Sequence, residues 1–531
     1  MAIENTMFNF SPPVDEFIVC GQSGKLQYSA SQCIGYGSNS TLVHKGRFEG
    51  HPVAIKMIPR ETFKGITEKM ITMSMGEADI NEAKILRQYE HKNVIRYYLL
   101  DHDVRFIYLA LELCEGNLAE YLEFGKPVPL PNGERRHLIK KHLLQGILEG
   151  LNYLHGADII HNDLKPQNIL LQPNKSGQGC SFDLEIKYNA VISDFGVSLK
   201  IDPGRKSKTV IDRLIGTEGW RPKEVVDILE DFNIRKNPSE QEKVKGTKDV
   251  DIFAFGCIIQ YVMAEKDDSK SRVWYMHPFG DDKFRNGNIK NGSRWAYLSK
   301  GKYKKVLDEI LADMLVGVCI DKNPQCRPDT QEINKHPFFW DPAARYQFIE
   351  KVANDVKSLQ RKDDFVALLN EKWKRYHPRS YHNEIADAME YIKKHFEANQ
   401  WTFNSSRCYY LDALLRDIRN IKQHYPEIKS EYGDTLEITS HLGLGDGDED
   451  DFDRYFLQNI VQILPIVYTC SYRIPRNKKK AYKAYFSNKE ETSLIDLREI
   501  AYWKTLEEVF CPENNTPRSK RARSRTPSGQ S

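Results

Sequence analysis

What most narrows the folds open to this chain is the order in which a few short motifs follow one another. Ile34-Gly35-Tyr36-Gly37-Ser38-Asn39-Ser40 sets two glycines in a turn between strand-like segments, where a missing Cβ lets backbone amides approach phosphate oxygens. Alone, such a turn is an ordinary hairpin. Val53-Ala54-Ile55-Lys56 follows as a strand, its lysine twenty-one residues after Gly35, and Asn81-Glu82-Ala83-Lys84-Ile85-Leu86 reads as a helix carrying a glutamate that can pair with it. His161-Asn162-Asp163-Leu164-Lys165-Pro166-Gln167-Asn168 and then Asp194-Phe195-Gly196 complete the series. Together these residues supply a carboxylate to orient a hydroxyl and accept its proton (Asp163), oxygen ligands for a divalent cation (Asn168, Asp194), and a lysine for phosphates steadied by a glutamate (Lys56, Glu82). Phosphoryl transfer needs this set of parts.

The ordered set resembles the eukaryotic-type protein kinases over roughly Ile34 to Trp340. Lys165, and Gly216-Thr217 before Trp220, resemble the serine/threonine rather than the tyrosine branch, and Asp251 and Arg327 match supporting positions of the helical lobe. The resemblance implies ATP and Mg²⁺ as cofactors. It places Ile34, Gly35, Gly37, Val43, Ala54, Lys56, Glu82, Glu112 and Cys114 about the nucleotide, Asn168 and Asp194 on the metal, and Asp163 and Lys165 at the chemistry. Three positions depart from the pattern: Asn162 replaces the usual arginine, Pro222-Lys223-Glu224 replaces Ala-Pro-Glu, and Ser40 stands for a third glycine. None of these performs the chemistry or touches Mg²⁺, so an active kinase is expected. Without that arginine a phosphorylated activation segment lacks its usual anchor, and phosphate on Ser198, Ser207, Thr209 or Thr217 is expected to change the rate little.

A kinase would end near His336-Pro337-Phe338-Phe339-Trp340, yet the chain continues to Ser531. Leu414-Leu415-Arg416-Asp417-Ile418-Arg419-Asn420-Ile421-Lys422-Gln423-His424-Tyr425 resembles the active-site helix of the kinase-extension nuclease domain, found in the inositol-requiring enzyme family of unfolded-protein-response kinase/endoribonucleases and in ribonuclease L. Gly216-Thr217-Glu218-Gly219-Trp220-Arg221, His277-Pro278-Phe279-Gly280-Asp281 and Leu464-Pro465-Ile466-Val467-Tyr468 resemble that family's versions of the same segments. The resemblance spans about residues 28–487.

Arg419, Asn420 and His424 fit metal-independent RNA cleavage. On a helix they border one face, with His424 as acid for the leaving 5′-oxygen, Arg419 as phosphate clamp and Asn420 orienting its neighbours. The base is open: direct counting puts Ser406 where the family has a tyrosine, with Tyr409 and Tyr410 close by. Ala413 stands where ribonuclease L has an aspartate, with Asp412 beside it.

The fold class expected is therefore an α+β two-lobed protein kinase fold followed by an all-α kinase-extension nuclease domain. The divisions read as a leader or linker over 1–28, the kinase over 29–340 (lobes 29–115 and 116–340), the nuclease domain over 341–487, and a C-terminal extension with a disordered basic tail over 488–531. Helices are expected near Ser74–Tyr89, Ala343–Leu359, Glu384–Phe396, Leu411–Gln423 and Tyr455–Tyr472. A net charge of +3, from 77 basic and 74 acidic residues, argues against nucleic acid bound over the whole surface. Ten cysteines without a CxxC indicate reduced thiols. The apolar run Ile252–Ala264 is shorter than the ~18 residues a membrane helix requires, so a soluble, cytosolic chain is expected, whether whole or the cytosolic part of a receptor; Lys520–Arg525 could serve as a nuclear address. The expected partners are ATP or ADP, a protein substrate or the chain itself in autophosphorylation, RNA, and a second copy in a homodimer. The acidic stretch 446–451 lacks the EF-hand's glycine and glutamate and reads as a solvated loop, and the basic run Arg473–Lys483 is either an RNA contact or a charged surface. Two rivals remain: a kinase whose extension only docks partners, and a nucleotide-sensing scaffold with a silent kinase.

Overall fold

The computed structural model describes residues 17–37, 41–60, 77–127, 130, 134–174, 186–202, 204–205, 207–209, 216–235, 245–264, 276–294, 296–298, 306–359, 363–376, 410–432, 460–474, 480–482, 484–486 and 492–511. The chain divides into two compact units, residues 1–217 with 240–251, and residues 218–239 with 252–531.

The first unit opens with a six-stranded antiparallel sheet in the order β1-β2-β3-β4-β6-β5, formed by β1 (Phe17–Cys20), β2 (Leu26–Tyr36), β3 (Leu42–Phe48), β4 (His51–Pro59), β5 (Tyr97–His102) and β6 (Phe106–Glu112). Val53, Ile55 and Met57 alternate along β4 and pack with Cys20, Leu26, Tyr108 and Ala110 into one core, the period-two pattern of a strand with a buried face. The sheet thus begins at Phe17, whose strand pairs with β2 from Phe17↔Ser29 to Cys20↔Leu26, so residues expected as leader are strand. Helix α1 (Glu77–Gln88) joins β4 to β5. Helix α2 (Leu118–Phe124) starts on an Asn117–Glu120 capping box and stops at Gly125 in the left-handed region. Helix α3 (Glu134–Gly156) buries Leu143, Leu144, Ile147, Leu148, Leu151 and Leu154 at helical spacing.

Short strands frame the loops that follow: β7 (Ile159–Ile160) pairs with β10 (Leu199–Lys200), β8 (Ile169–Pro173) with β9 (Tyr188–Ile192), and β11 (Lys208–Thr209) with β12 (Lys245–Gly246).

The second unit is helical: α4 (Lys223–Arg235), α5 (Lys248–Met263) from Ile252 onward, α6 (Asp282–Asn291), α7 (Leu307–Cys319), α8 (Thr330–Asn334), α9 (Pro342–Lys357), α10 (Asp364–Tyr376), α11 (Leu411–Tyr432), α12 (Ile463–Cys470) and α13 (Thr492–Phe510). The run Ile252–Ala264 is buried throughout, as its uncharged and, but for Gln260, apolar sequence demands. Among the described residues no helix is long and apolar enough to cross a membrane. Helix α11 buries Leu411, Leu414, Leu415 and Ile418 and packs on α9 and α10. It continues past the expected end at Gln423 and through Pro426 to Tyr432, where proline must forgo one intrahelical hydrogen bond. Helix α12 is shorter than expected because a turn at 460–462 precedes it. The helix expected over Glu384–Phe396, the acidic stretch 446–451 and the basic tail lie outside the described residues.

Helix α13 lies within the stretch expected as extension. Arg498 pairs with Glu332 at 2.7 Å and donates to the Cys326 and Arg327 carbonyls. Trp503 stacks on Tyr376 of α10 at 5.7 Å and 7° between planes. This helix therefore rests on both the α7–α9 part and the α10 part of its unit.

Candidate functional site

In the first unit, Lys56 on β4 donates to Glu82 Oε2 at 2.9 Å and to Asp194 Oδ1 at 3.0 Å. Burial alone would lower the pKa of the ammonium, but the two carboxylates outweigh it and hold Lys56 above the ordinary lysine range. Burial likewise opposes ionisation of Asp194, and Lys56 overrides it and keeps that carboxyl below its usual value. Glu82 on α1 is fully buried and accepts the Phe195 amide at 3.2 Å; Phe195 is itself buried, edge-on to His161 at 5.0 Å. One lysine thus joins β4, α1 and the Asp194-Phe195-Gly196 turn.

Asp163 lies at the centre of a second cluster. Lys165 Nζ donates to Asp163 Oδ2 at 2.8 Å and to Thr217 Oγ1 at 2.6 Å, while Thr217 Oγ1 donates to Asp163 Oδ1 at 2.7 Å. Asn168 Nδ2 donates to Asp163 O at 2.8 Å and to its Oδ2 at 3.1 Å. Gly216 permits this approach. Its φ is 27°, and a Cβ there would lie 2.5 Å from the Asn162 carbonyl.

Buried Asp251 braces the loop from beneath, accepting the His161 amide at 2.8 Å, the Asn162 amide at 2.7 Å and His155 Nε2 at 2.9 Å. Asn162 and Asp194 both have φ near 65° (68° and 64°), a conformation that costs about 1 kcal/mol or more each in non-glycine residues and is tolerated where surrounding bonds over-determine it.

The remaining expected nucleotide contacts lie along the sheet. Gly35 pairs with Val43, Ala54 with Leu111, and Glu112 with Val53. Gly37 N donates to Thr41 O at 2.8 Å. Ile34 is exposed, whereas Cys114 is half-buried, and burial pushes its thiol up to about 12. Glu112 accepts from Gln172 at 2.6 Å. Ser38, Asn39 and Ser40 lie outside the described residues.

The donor set fits Mg²⁺. Lys56 engages one oxygen of Asp194, and the Asn168 amide nitrogen is directed at Asp163, which leaves oxygen atoms of both residues for a hard cation.

Two of the four expected phosphorylation positions do not suit that expectation. Ser198 is buried and donates to the His161 carbonyl at 3.1 Å. The Thr217 hydroxyl is held between Asp163 and Lys165, so a phosphate there would face the Asp163 carboxylate. Sequence reasoning did not single out Thr217 for this role; its signal was the Gly216-Thr217 pair itself. In the second unit, Arg327 bonds Glu224 at 2.6 and 2.9 Å through both Nη atoms, so Pro222-Lys223-Glu224 still supplies the ion pair.

Helix α11 carries the other expected site. Arg419 is 9% exposed, and its Nη1 donates to Asn354 Oδ1 at 3.0 Å while Nη2 donates to Asn420 Oδ1 at 2.6 Å. Its Nε is buried without a hydrogen-bond partner. Asn354, from α9, was not singled out in the sequence, because nothing local to it marks the contact. Asp412 is buried and engaged by Arg416 at 2.8 Å and Asn370 at 3.0 Å, which makes it a structural carboxylate rather than a free base. A recess of about 340 Å³ opens beside Asn420, lined by Val356, Val366, Arg416 and Asp417 among others. The backbone of His424 lies on the same helix; its side chain, Ser406 and Tyr409 are outside the described set. Among the described residues no group of three or more His, Cys, Asp or Glu could hold a metal.

The profile of the protein kinase domain matches residues 28–339, and that of the ribonuclease 2-5A family matches residues 345–486. The human serine/threonine-protein kinase/endoribonuclease IRE2 is 31% identical over 83% of this chain and 40% of its own length. The serine/threonine-protein kinase/endoribonuclease ire-1 of Caenorhabditis elegans is 29% identical over 87% of the chain and 41% of its own length. The sensor for unfolded proteins in the ER ire1 of Schizosaccharomyces pombe is 28% identical over 82% and 37%. The chain thus spans about two fifths of the length of these relatives.

Proposed function

This chain belongs to the protein kinase family and continues into a ribonuclease 2-5A domain, and from that premise we propose a serine/threonine kinase with an appended, metal-independent endoribonuclease. The observation that carries the kinase half is the pair of clusters around Lys56 and Asp163. Asp163 orients the substrate hydroxyl and accepts its proton, Lys165 and Thr217 hold that carboxylate in place, and Lys56 draws the α- and β-phosphates of ATP toward it. Asn168 and Asp194 would hold Mg²⁺, which when bound would supply positive charge to offset that developing on the transferred phosphoryl group. The chain itself is a substrate through autophosphorylation.

In the nuclease half the RNA's own 2′-hydroxyl gives up its proton to a base and attacks the adjacent phosphate, the bond to the 5′-oxygen breaks as His424 protonates that oxygen, and Arg419 with Asn420 stabilises the pentacovalent phosphate. Nucleotide binding favours a homodimer that completes the RNA site. The relatives' names include a sensor for unfolded proteins in the ER, which supports a place in unfolded-protein signalling; the cytosolic side is the location this reading assigns to the chain. The rival reading, a helical docking module, draws on the burial of Arg419.

One experiment addresses both halves. Purified protein is given labelled ATP with Mg²⁺, then, after nucleotide pre-loading, a stem-loop RNA in EDTA. Phosphate incorporation that is lost in Asp163→Asn, with RNA cleavage in EDTA, is the expected result. Incorporation without cleavage would leave the docking module, and neither would leave the scaffold.

A further inference from the structure

Asn162 stands where an arginine would anchor a phosphorylated activation segment. The residues directly after Asp194-Phe195-Gly196 are nevertheless held, through the pairing of β10 with β7, and two residues outside the chemistry described above meet there. Tyr89 directly follows α1, and its amide donates to the Ile85 carbonyl at 3.0 Å, so it prolongs the helix that carries Glu82 two turns earlier. Lys200 ends β10. Its ammonium donates to the Tyr89 hydroxyl at 2.9 Å and to the Ala157 carbonyl, and lies 4.9 Å from the Tyr89 ring centroid. One cation therefore links the activation strand to the ends of two helices.

The electrostatics favour a cation at this point. The Ala157 carbonyl, at the end of α3, accepts from Lys200, and the Asp158 carboxylate beside it attracts the same ammonium. The backbone of the activation strand is held separately, by pairing of β10 with β7 and by Ile201 N donating to Asp158 O at 2.8 Å. That leaves the Lys200 side chain to reach α1. On the far side of Tyr89, His91 stacks on Tyr153 of α3 at 4.8 Å, so the segment leaving α1 is tied to α3 a second time.

We propose that Lys200 is a positioning residue for phosphoryl transfer: through Tyr89 it holds α1 where Glu82 meets Lys56, giving the cleft its working arrangement with no phosphate on the activation segment. The proposal rests on the protein kinase reading and adds to it a device for holding the helix. The Lys200 bonds go to Tyr89 and Ala157, not to the groups proposed to hold the phosphates, the metal or the substrate hydroxyl. Losing it releases one end of α1 and leaves the chemical groups intact.

The test uses the full chain with Lys200→Met, Lys200→Arg and Tyr89→Phe, measuring kcat and KM for ATP together with amide hydrogen exchange across residues 77–88. Lys200→Met should lower kcat about tenfold, the scale of one charge-assisted hydrogen bond, and speed exchange across α1. Lys200→Arg, which can still bridge two acceptors, should restore both, and Tyr89→Phe should fall between. The proposal is overturned by wild-type kcat and exchange in Lys200→Met, by a loss of kcat without faster exchange, by equal loss in Lys200→Arg, or by rescue of Lys200→Met through prior phosphorylation. A wild type that transfers no phosphate would overturn the kinase reading instead, and the exchange measurement would still decide whether Lys200 holds α1.

Discussion

The nucleotide cleft and helix α11 handle their charged groups in opposite ways. In the cleft, Lys56, Glu82 and Asp194 come from three separate segments and meet at hydrogen-bonding distance, and Asp163 is approached by Lys165, Asn168 and Thr217. On α11, Arg419 is turned into its own unit, bonded to the neutral side chains of Asn354 and Asn420. The cleft is organised for chemistry within one chain, because each charge is already set opposite its counter-charge. The α11 face has its guanidinium engaged by amides, which the proposed RNA chemistry would require it to exchange for a phosphate. The proposed dependence on a second copy concerns only the α11 region, where the guanidinium is not yet free for a phosphate.

The largest effect that could break this contrast is expected in the cleft. Lys56→Ala would leave Glu82 fully buried without a counter-charge. It should abolish phosphoryl transfer and lower unfolding free energy by about 3 kcal/mol, the scale for breaking a buried ion pair from one side. Arg419→Ala leaves only neutral asparagines and should cost about 1 kcal/mol in the same denaturant titration, while removing RNA cleavage. Equal stability losses would mean that the two regions are organised alike.

The kinase half was legible because each motif fixes its own backbone and their order fixes which motifs meet, even for Lys56 and Asp194, which lie 138 positions apart. The apolar spacing of Leu411, Leu414, Leu415 and Ile418 likewise revealed α11. Strand β1 was not legible, since Ile18 and Val19 are exposed and a short edge strand has little alternation to read. The burial of Arg419 was hidden for a related reason: it depends on Asn354 across an interhelical contact, which no local pattern encodes. Helix α13 owes its place to contacts with Glu332 and Tyr376 far back in the chain.

That helix gives the next effect. Arg498 and Glu332 are both largely buried, so Arg498→Ala should destabilise the second unit by about 2–3 kcal/mol. Thermal unfolding should show the loss, with the KM for ATP unchanged.

A pH series sharpens the contrast further. His336 is buried between Tyr468 and Tyr502, and burial together with Arg345 lowers its pKa to about 3. The unfolded chain takes up this proton near pH 6.5, so between those values it binds more protons than the folded one, and acid favours unfolding. Stability should fall by about 2 kcal/mol from pH 7 to pH 5, and His336→Leu should flatten that slope. Asp194 has its pKa lowered, so its contribution is present above the ordinary carboxylate range and is lost only as pH falls through the lowered value. The stability contribution of His336 should therefore decline on acidification before that of the Asp194 ion pair does.

The smallest effect expected is at Ser207, which lies beyond β10 in the activation segment. Ser207→Glu should change kcat by less than about twofold, as for a charge without a basic anchor in the catalytic loop, and steady-state kinetics would reveal a larger response.

The central claim is that two chemistries occupy two separately organised regions, and the rate of RNA cleavage by His424→Ala tests it most directly. In EDTA the wild type should leave a 2′,3′-cyclic phosphate at a rate that rises more steeply than linearly with protein concentration. His424→Ala should lose about 10²–10⁴-fold in that rate and keep autophosphorylation at the wild-type level. Cleavage that requires Mg²⁺, or that persists undiminished in His424→Ala, would contradict the account.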